Sequence, residues 1–347
     1  MTTTEATSAG GVAQLRRPRR MRLLWLLAVV AVLVVLMAVS VAVGSREVGW
    51  SDIVAALGGS ADGLDRAAVS VRIPRTVLAV TVGAALAVSG AVMQGVTRNP
   101  LADPGILGVN MGAALAVVIG IAWFGLTSAT GYIWTAIVGA GISAVFVYVI
   151  GSLGRGGPMP LKLALAGAAT SAAFVSFITA IALPRNDIGA NVRSWQIGGV
   201  GGASFDRIGQ LTPFLVAGFV ICLLSARGMN TLALGDDVAA GLGERVALTR
   251  AVAALGAVLL CGASTAIAGP IGFVGLVIPH LCRLLVGPDH RWLLPFSALT
   301  GAGLLTAADV LGRIVARPSE IDVGIVTALI GAPFFIVVVR RHKVRAL

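Results

Sequence analysis

Eight stretches of this chain hold no Asp, Glu, Lys or Arg: residues 23–45, 76–97, 104–154, 163–184, 208–226, 251–282, 292–308 and 323–339. A helix needs about 20 apolar residues to cross ~30 Å of hydrocarbon. The 104–154 stretch is long enough for two crossings, with the turn at Gly125–Gly131. The 251–282 stretch exceeds one crossing and falls short of two full ones. Gly269-Pro270 breaks it, and Ile271–Cys282 then forms a short second helix. Six single stretches and two double ones predict an all-α polytopic membrane protein of about ten transmembrane helices. Only 12% of the residues are charged and 57% are hydrophobic. Soluble domains carry about 25% charge, so a soluble enzyme, a disordered chain and a disulfide-stapled secreted domain are all excluded.

An even number of crossings puts both termini on one side. Arg16, Arg17, Arg19, Arg20 and Arg22 precede the first stretch, and Arg340, Arg341, Lys343 and Arg345 follow the last. Basic residues gather on cytoplasmic loops, so both termini are expected in the cytoplasm. This topology leaves 17 of the 26 basic residues inside. Residues 1–22 form a cytoplasmic, partly disordered basic segment, 23–340 one ten-helix domain, and 341–347 a basic cytoplasmic tail. The 23-residue first stretch is too long for the h-region of a signal peptide, which runs to about 15 residues. The net charge of +11 is thus a topological signal. No basic stripe interleaved with aromatics points to a nucleic-acid partner.

Much familiar chemistry is missing. Both lysines, Lys162 and Lys343, lack a preceding glycine, so a GxxxxGK[ST] loop for ATP cannot occur. Cys222, Cys261 and Cys282 lie apart in apolar runs, and His280, His290 and His342 fit no metal-ligand spacing. No cofactor, metal site or catalytic residue is expected, and the chain is not read as an enzyme. Carboxylates inside membrane helices would mark an ion-coupled transporter. Only Asp103 and Asp309 come close, and both read as residues near helix ends, Asp103 as a cap ahead of Pro104. Uphill transport would therefore draw its energy from a partner.

Four segments carry a resemblance. They are 72–110 (RIPRTVLAVTVGAALAVSGAVMQGVTRNPLADPGILGVN), 229–243 (MNTLALGDDVAAGLG), 269–313 (GPIGFVGLVIPHLCRLLVGPDHRWLLPFSALTGAGLLTAADVLGR) and 318–341 (PSEIDVGIVTALIGAPFFIVVVRR). Over more than a third of the chain, in order and spacing, these resemble the FecCD family of ATP-binding-cassette (ABC) importer permeases. That resemblance implies uptake of a ferric siderophore, or alternatively of cobalamin or haem, across the bacterial cytoplasmic membrane. It implies as partners a second permease copy or paralogue, two ABC ATPase subunits, an extracytoplasmic substrate-binding protein and membrane lipid.

The resemblance also assigns residues. Arg72, Arg75 and Arg313 would dock the binding protein through its carboxylates. Their own positions agree, since Arg72 and Arg75 read as lying just before helix two, and Arg313 as closing helix nine, all at the outer mouth. Segment 229–243 would seat in the ATPase cleft. Its glycines and apolar residues read as two short helices with a sharp turn. The residues expected to couple there are Asn230, Leu232, Leu234, Gly235, Asp236, Ala239 and Gly243. Asn99–Pro104, with two prolines, is expected to be non-helical.

Overall fold

A computed structural model describes residues 19–342, apart from 47, 50, 52–53, 56–57, 59–62, 101, 106, 154–159, 186–188, 190–191 and 193–194. The expectations for residues 1–18 and 343–347 lie outside the described residues. The chain is helical, in the order α1 (Arg19–Ala42), α2 (Leu64–Thr97), α3 (Val109–Phe124), α4 (Ala129–Ser152), α5 (Pro160–Ala182), α6 (Phe205–Leu232), α7 (Asp236–Gly241), α8 (Val246–Ala268), α9 (Val274–Val286), α10 (His290–Val315) and α11 (Val323–His342). Among the described residues, seven of these helices are long and apolar enough to cross a membrane. Val109–Phe124, Val274–Val286 and Val323–Val337 are shorter apolar helices.

The bundle is built around α2 and α8. Small residues let the backbones meet: a methyl on Gly83 of α2 would collide with the Gly301 carbonyl of α10, and one on Gly301 with Gly83. Gly90 presses in the same way on Gly275 of α9. Close approach through small residues is how membrane helices gain packing where water supplies no hydrophobic drive. Polar side chains add interhelical bonds: Ser89 Oγ donates to the Ala257 carbonyl at 2.6 Å, and Asn110 Oδ1 accepts from Cys261 Sγ at 2.9 Å and Thr265 Oγ1 at 3.2 Å. The outer faces are apolar. Leu24, Leu27, Val32 and Val35 on α1, and Ile142, Val145 and Val149 on α4, are all exposed. Such wide apolar surfaces are the mark of a protein solvated by lipid.

Helix ends follow local chemistry. Ser128 and Ser204 cap α4 and α6, accepting from Gly131 N and Arg207 N. The break after α8 falls at Gly269, which is in the left-handed region (φ 70°) and lies against the Trp195 carbonyl. Only a glycine tolerates both demands. The described residues of Asn99–Pro104 are non-helical, as the two prolines require.

Four sequence expectations change. α2 begins at Leu64, so Arg72 and Arg75 lie within the helix; the charge-free stretch marked only its apolar part. Residues 229–232 belong to α6, leaving α7 as the single short helix of the connector. Asp103 does not cap α3, whose N-cap is Gly108. Its Oδ1 accepts from Gly105 N at 2.7 Å, and a methyl on Gly275 would lie 2.5 Å from Oδ2. That places the carboxylate at the start of α9, where the helix dipole favours an anion. Asp309, read only as near a helix end, lies inside α10 and is buried, 1% exposed.

Candidate functional site

The charged residues gather at the two ends of the bundle. At one end the last turn of α1 leaves carbonyls with no partner in their own helix. Arginines from two other helices take them. Arg72 donates from Nη1 to the Ala42 carbonyl at 2.9 Å and from Nη2 to the Arg46 carbonyl at 2.6 Å. Arg313 donates from Nη1 to the Ser40 carbonyl at 2.9 Å and the Val43 carbonyl at 3.1 Å, and from Nη2 to Ser40 Oγ at 2.7 Å. Cations at a helix C-terminus also meet the favourable end of its dipole. Gly44 lies against them, and a methyl there would displace the Arg72 guanidinium.

Arg75 completes the cluster. Its Nε and Nη2 reach Asp309 Oδ1 at 3.0 and 2.8 Å, and its Nη1 reaches Glu320 Oε2 at 2.6 Å. Asp309 Oδ2 pairs with Arg313 Nη2 at 2.9 Å. Glu320 also accepts from Ser45 Oγ at 2.9 Å. The three arginines named from sequence are thus brought together. The sequence missed the two carboxylates between them and the role of α1. Arg72 and Arg313 are buried, and the Arg75 side chain is 12% exposed, against 35% for Glu320. Burial opposes ionisation of Glu320, but the hydrogen bonds and charge of Arg75, with Ser45, hold its carboxyl below the ordinary 4.5.

At the other end, α7 follows Gly235, which adopts φ 116° and is the N-cap. Asp236 pairs with Arg98, the left-handed residue ending α2, and with Arg250 of α8 at 2.9 Å. Ala239 is fully buried, as is Leu232, so these two expected contacts face the bundle. Leu234, Val238 and Leu242 point the opposite way and are 61%, 52% and 66% exposed. Val238 and Leu242, four apart, share one side of α7 and its last turn, and Leu234, just ahead of the N-cap Gly235, adds a third exposed apolar side chain to this ridge. Val238 and Leu242 were not among the expected site residues; their spacing from Leu234 was the available signal. Gly243 turns the chain into α8 at φ 84°.

Asn230, near the end of α6, also bonds inward. Its Nδ2 donates to Asp289 Oδ1 at 2.7 Å, while its Oδ1 accepts from His290 N and His290 Nδ1, each at 2.9 Å. Asp289 caps α10 and accepts from Arg291 N at 3.0 Å. Burial opposes its charge, and the bonds from Arg291 N and Asn230 outweigh it, holding the carboxyl below its ordinary range.

Among the described residues, an all-helical fold with apolar flanks and ionic clusters at its two ends is that of a multi-pass membrane protein. Comparison identifies the class further: the FecCD transport family matches residues 32–341, and the chain belongs to it. It is 47% identical over 272 residues to the Iron(3+)-hydroxamate import system permease protein FhuB of Bacillus subtilis (strain 168), covering 78% of this chain and 71% of that one. It is 43% identical over 306 residues to the Ferric enterobactin transport system permease protein FepD of Escherichia coli (strain K12), covering 88% and 91%. Among solved structures, an ABC transporter in an inward-facing conformation matches with a TM-score of 0.77 at 30% identity, covering 92% of this chain and 99% of that one. The chain is an ABC permease.

Proposed function

We propose that the chain is the transmembrane subunit of an ABC importer that carries a ferric siderophore inward by alternating access. The observation that carries the coupling is the ridge of Leu234, Val238 and Leu242, standing free at a charged end of the bundle. A short helix with an exposed apolar face fits a groove on another protein. ATPase subunits would seat there and supply the energy. The ferric siderophore rests on the relatives, whose names cover iron(3+)-hydroxamate and ferric enterobactin; cobalamin and haem are the alternatives.

The ridge end would be cytoplasmic. Arg22 of α1 lies over the Trp292 ring at 5.8 Å, so the basic start of α1 sits at the ridge end, as the positive-inside rule requires. Ten crossings with both termini inside follow if the three shorter apolar helices also cross. The arginine end would then be extracytoplasmic and receive the binding protein. Arg72, Arg75 and Arg313 would serve as its fixed positive field, with Arg75 the one whose carboxylate partner reaches solvent. A second permease copy would pack on an apolar flank, and the substrate path would run between copies.

The test is uptake of labelled ferric hydroxamate, ferric catecholate, haem and cobalamin by a strain lacking this gene, with and without the gene restored. Rescue of one or both iron carriers is the expected result. Rescue of haem or cobalamin alone would overturn the assignment of substrate.

A further inference from the structure

The residues expected to meet the ATPase divide into two sets. Leu234 projects outward, whereas Asn230 and Asp236 spend their hydrogen bonds inside the permease. We infer that Asn230 is a transmission residue: it clamps the end of α6, beside the coupling helix, to the start of α10, and α10 carries the displacement to the arginine cluster at the opposite end. This inference rests on the coupling role proposed above for α7.

Three observations support it. First, both ends of the Asn230 amide are engaged. The Asn230 amide uses Nδ2 on Asp289 and Oδ1 on both His290 N and His290 Nδ1. Since Oδ1 accepts, Nδ1 carries the imidazole proton, and Nε2 faces α2, where a methyl on Gly95 would lie 2.6 Å away. The imidazole is therefore held between Asn230 and α2. Second, α10 spans from one charged end to the other. It is one helix of 26 residues, roughly 39 Å at 1.5 Å per residue, with Pro295 in its second turn, and beyond that proline it locks onto α2 through the mutual contact of Gly83 and Gly301. Third, the far end of α10 is as firmly tied as the near one. Asp309 and Arg313, both on α10, hold Arg75 of α2 and the last turn of α1. α2 is tied at its near end too, since Arg98 meets Asp236 at the start of α7. A shift of α7 thus reaches the arginine cluster along two packed helices, and Asn230 is the joint to α10. Close-packed cores transmit such shifts because they deform little.

The test uses hydrogen exchange of the complete complex, the chain with the ATPase subunits that copurify with it, in nanodiscs with and without ATP and vanadate. In the wild type, exchange should change by roughly tenfold or more at 229–245 and also at 309–322. Asn230→Ala should keep the first change and lose most of the second, the remainder travelling along α2. Asn230→Asp should do the same, because it sets two carboxylates face to face. The swap Asn230→Asp with Asp289→Asn exchanges donor and acceptor across the pair: the carboxylate introduced at 230 still accepts from His290, and the amide introduced at 289 turns so that its nitrogen donates to that carboxylate while its oxygen keeps the cap on Arg291 N. That double variant should recover the change at 309–322. A merely structural role would alter both ends together or neither. A full response at 309–322 in Asn230→Ala, or failure of the swap to restore it, would overturn the inference while leaving α7 as the coupling helix. A wild type that responds at neither end would overturn both.

Discussion

Arg75 on α2 and Asp309 on α10 meet through two nitrogens at 3.0 and 2.8 Å, and the same carboxylate holds Arg313 at 2.9 Å. One buried anion thus neutralises two cations from two helices. Removing it leaves Arg313 with only neutral partners on α1 and Arg75 with Glu320 alone, and breaking a buried pair from one side costs about 3–5 kcal/mol. Asp309→Ala should therefore lower the melting temperature of the purified permease by many degrees, and Asp309→Asn by less, since the amide oxygen still accepts. Equal melting of Asp309→Ala and wild type would contradict the placement of this carboxylate.

Charge reversal at Arg72 would not report cleanly on docking, because Arg72 binds the end of α1. Glu320 offers a cleaner probe. It is the half-exposed carboxylate that already occupies Arg75, so a carboxylate on a docking protein would compete with it. Glu320→Ala should tighten docking of the binding protein at low salt by roughly two- to fivefold, the scale of an exposed ion pair. Docking unchanged by Glu320→Ala would remove Arg75 from the contact.

The same pair has a defined pH dependence. Folding holds the Glu320 carboxyl below the ordinary 4.5. A carboxyl lowered on folding adds stability that is complete above its unfolded value and is lost as pH falls through the folded one. The melting difference between wild type and Glu320→Gln should stay level from about pH 8 to about pH 5.5 and shrink below about pH 4.5. A difference that already shrinks near neutrality would show that Arg75 does not hold this group.

Two glycines separate packing from backbone freedom. Gly301→Ala drives a methyl into Gly83 and should destabilise by about 1–3 kcal/mol. Gly141→Ala, in α4 with no atom within 4 Å of the new methyl, should be neutral or stabilise by up to about 1 kcal/mol. Thermal melts of the two variants in one detergent make the comparison.

The ridge and its buried face should part in the same manner. Serine at Leu234, Val238 and Leu242, each more than half exposed, should change melting little while weakening capture of the ATPase subunits. Ala239→Leu, at a fully buried position, should lower melting. A triple serine variant that binds ATPase normally would dissociate α7 from coupling.

Much of this was legible before any coordinates. Charge-free runs located the apolar helices because lipid forbids unpaired charge over such lengths. Gly269-Pro270 marked a break because both residues act locally. The clusters were legible only as residue types. Arg72 and Arg75 stand ahead of a charge-free run, yet the helix begins eight residues before Arg72, since tertiary partners at Ala42, Arg46, Asp309 and Glu320 accept the charge. Those partners lie up to 245 residues away, beyond the reach of spacing arguments. Asn230 and Asp236 looked like surface contacts because short polar residues beside a turn usually are; only the fold brings Asp289, His290, Arg98 and Arg250 to them.

The transport proposed for this chain draws its energy from separate ATPase subunits. It is tested by uptake of labelled ferric siderophore by cells carrying the gene, first with ATP depleted and the ion gradient held, then with the gradient collapsed and ATP maintained. Uptake should stop in the first condition and continue in the second. Uptake that survives ATP depletion and stops with the gradient would contradict it.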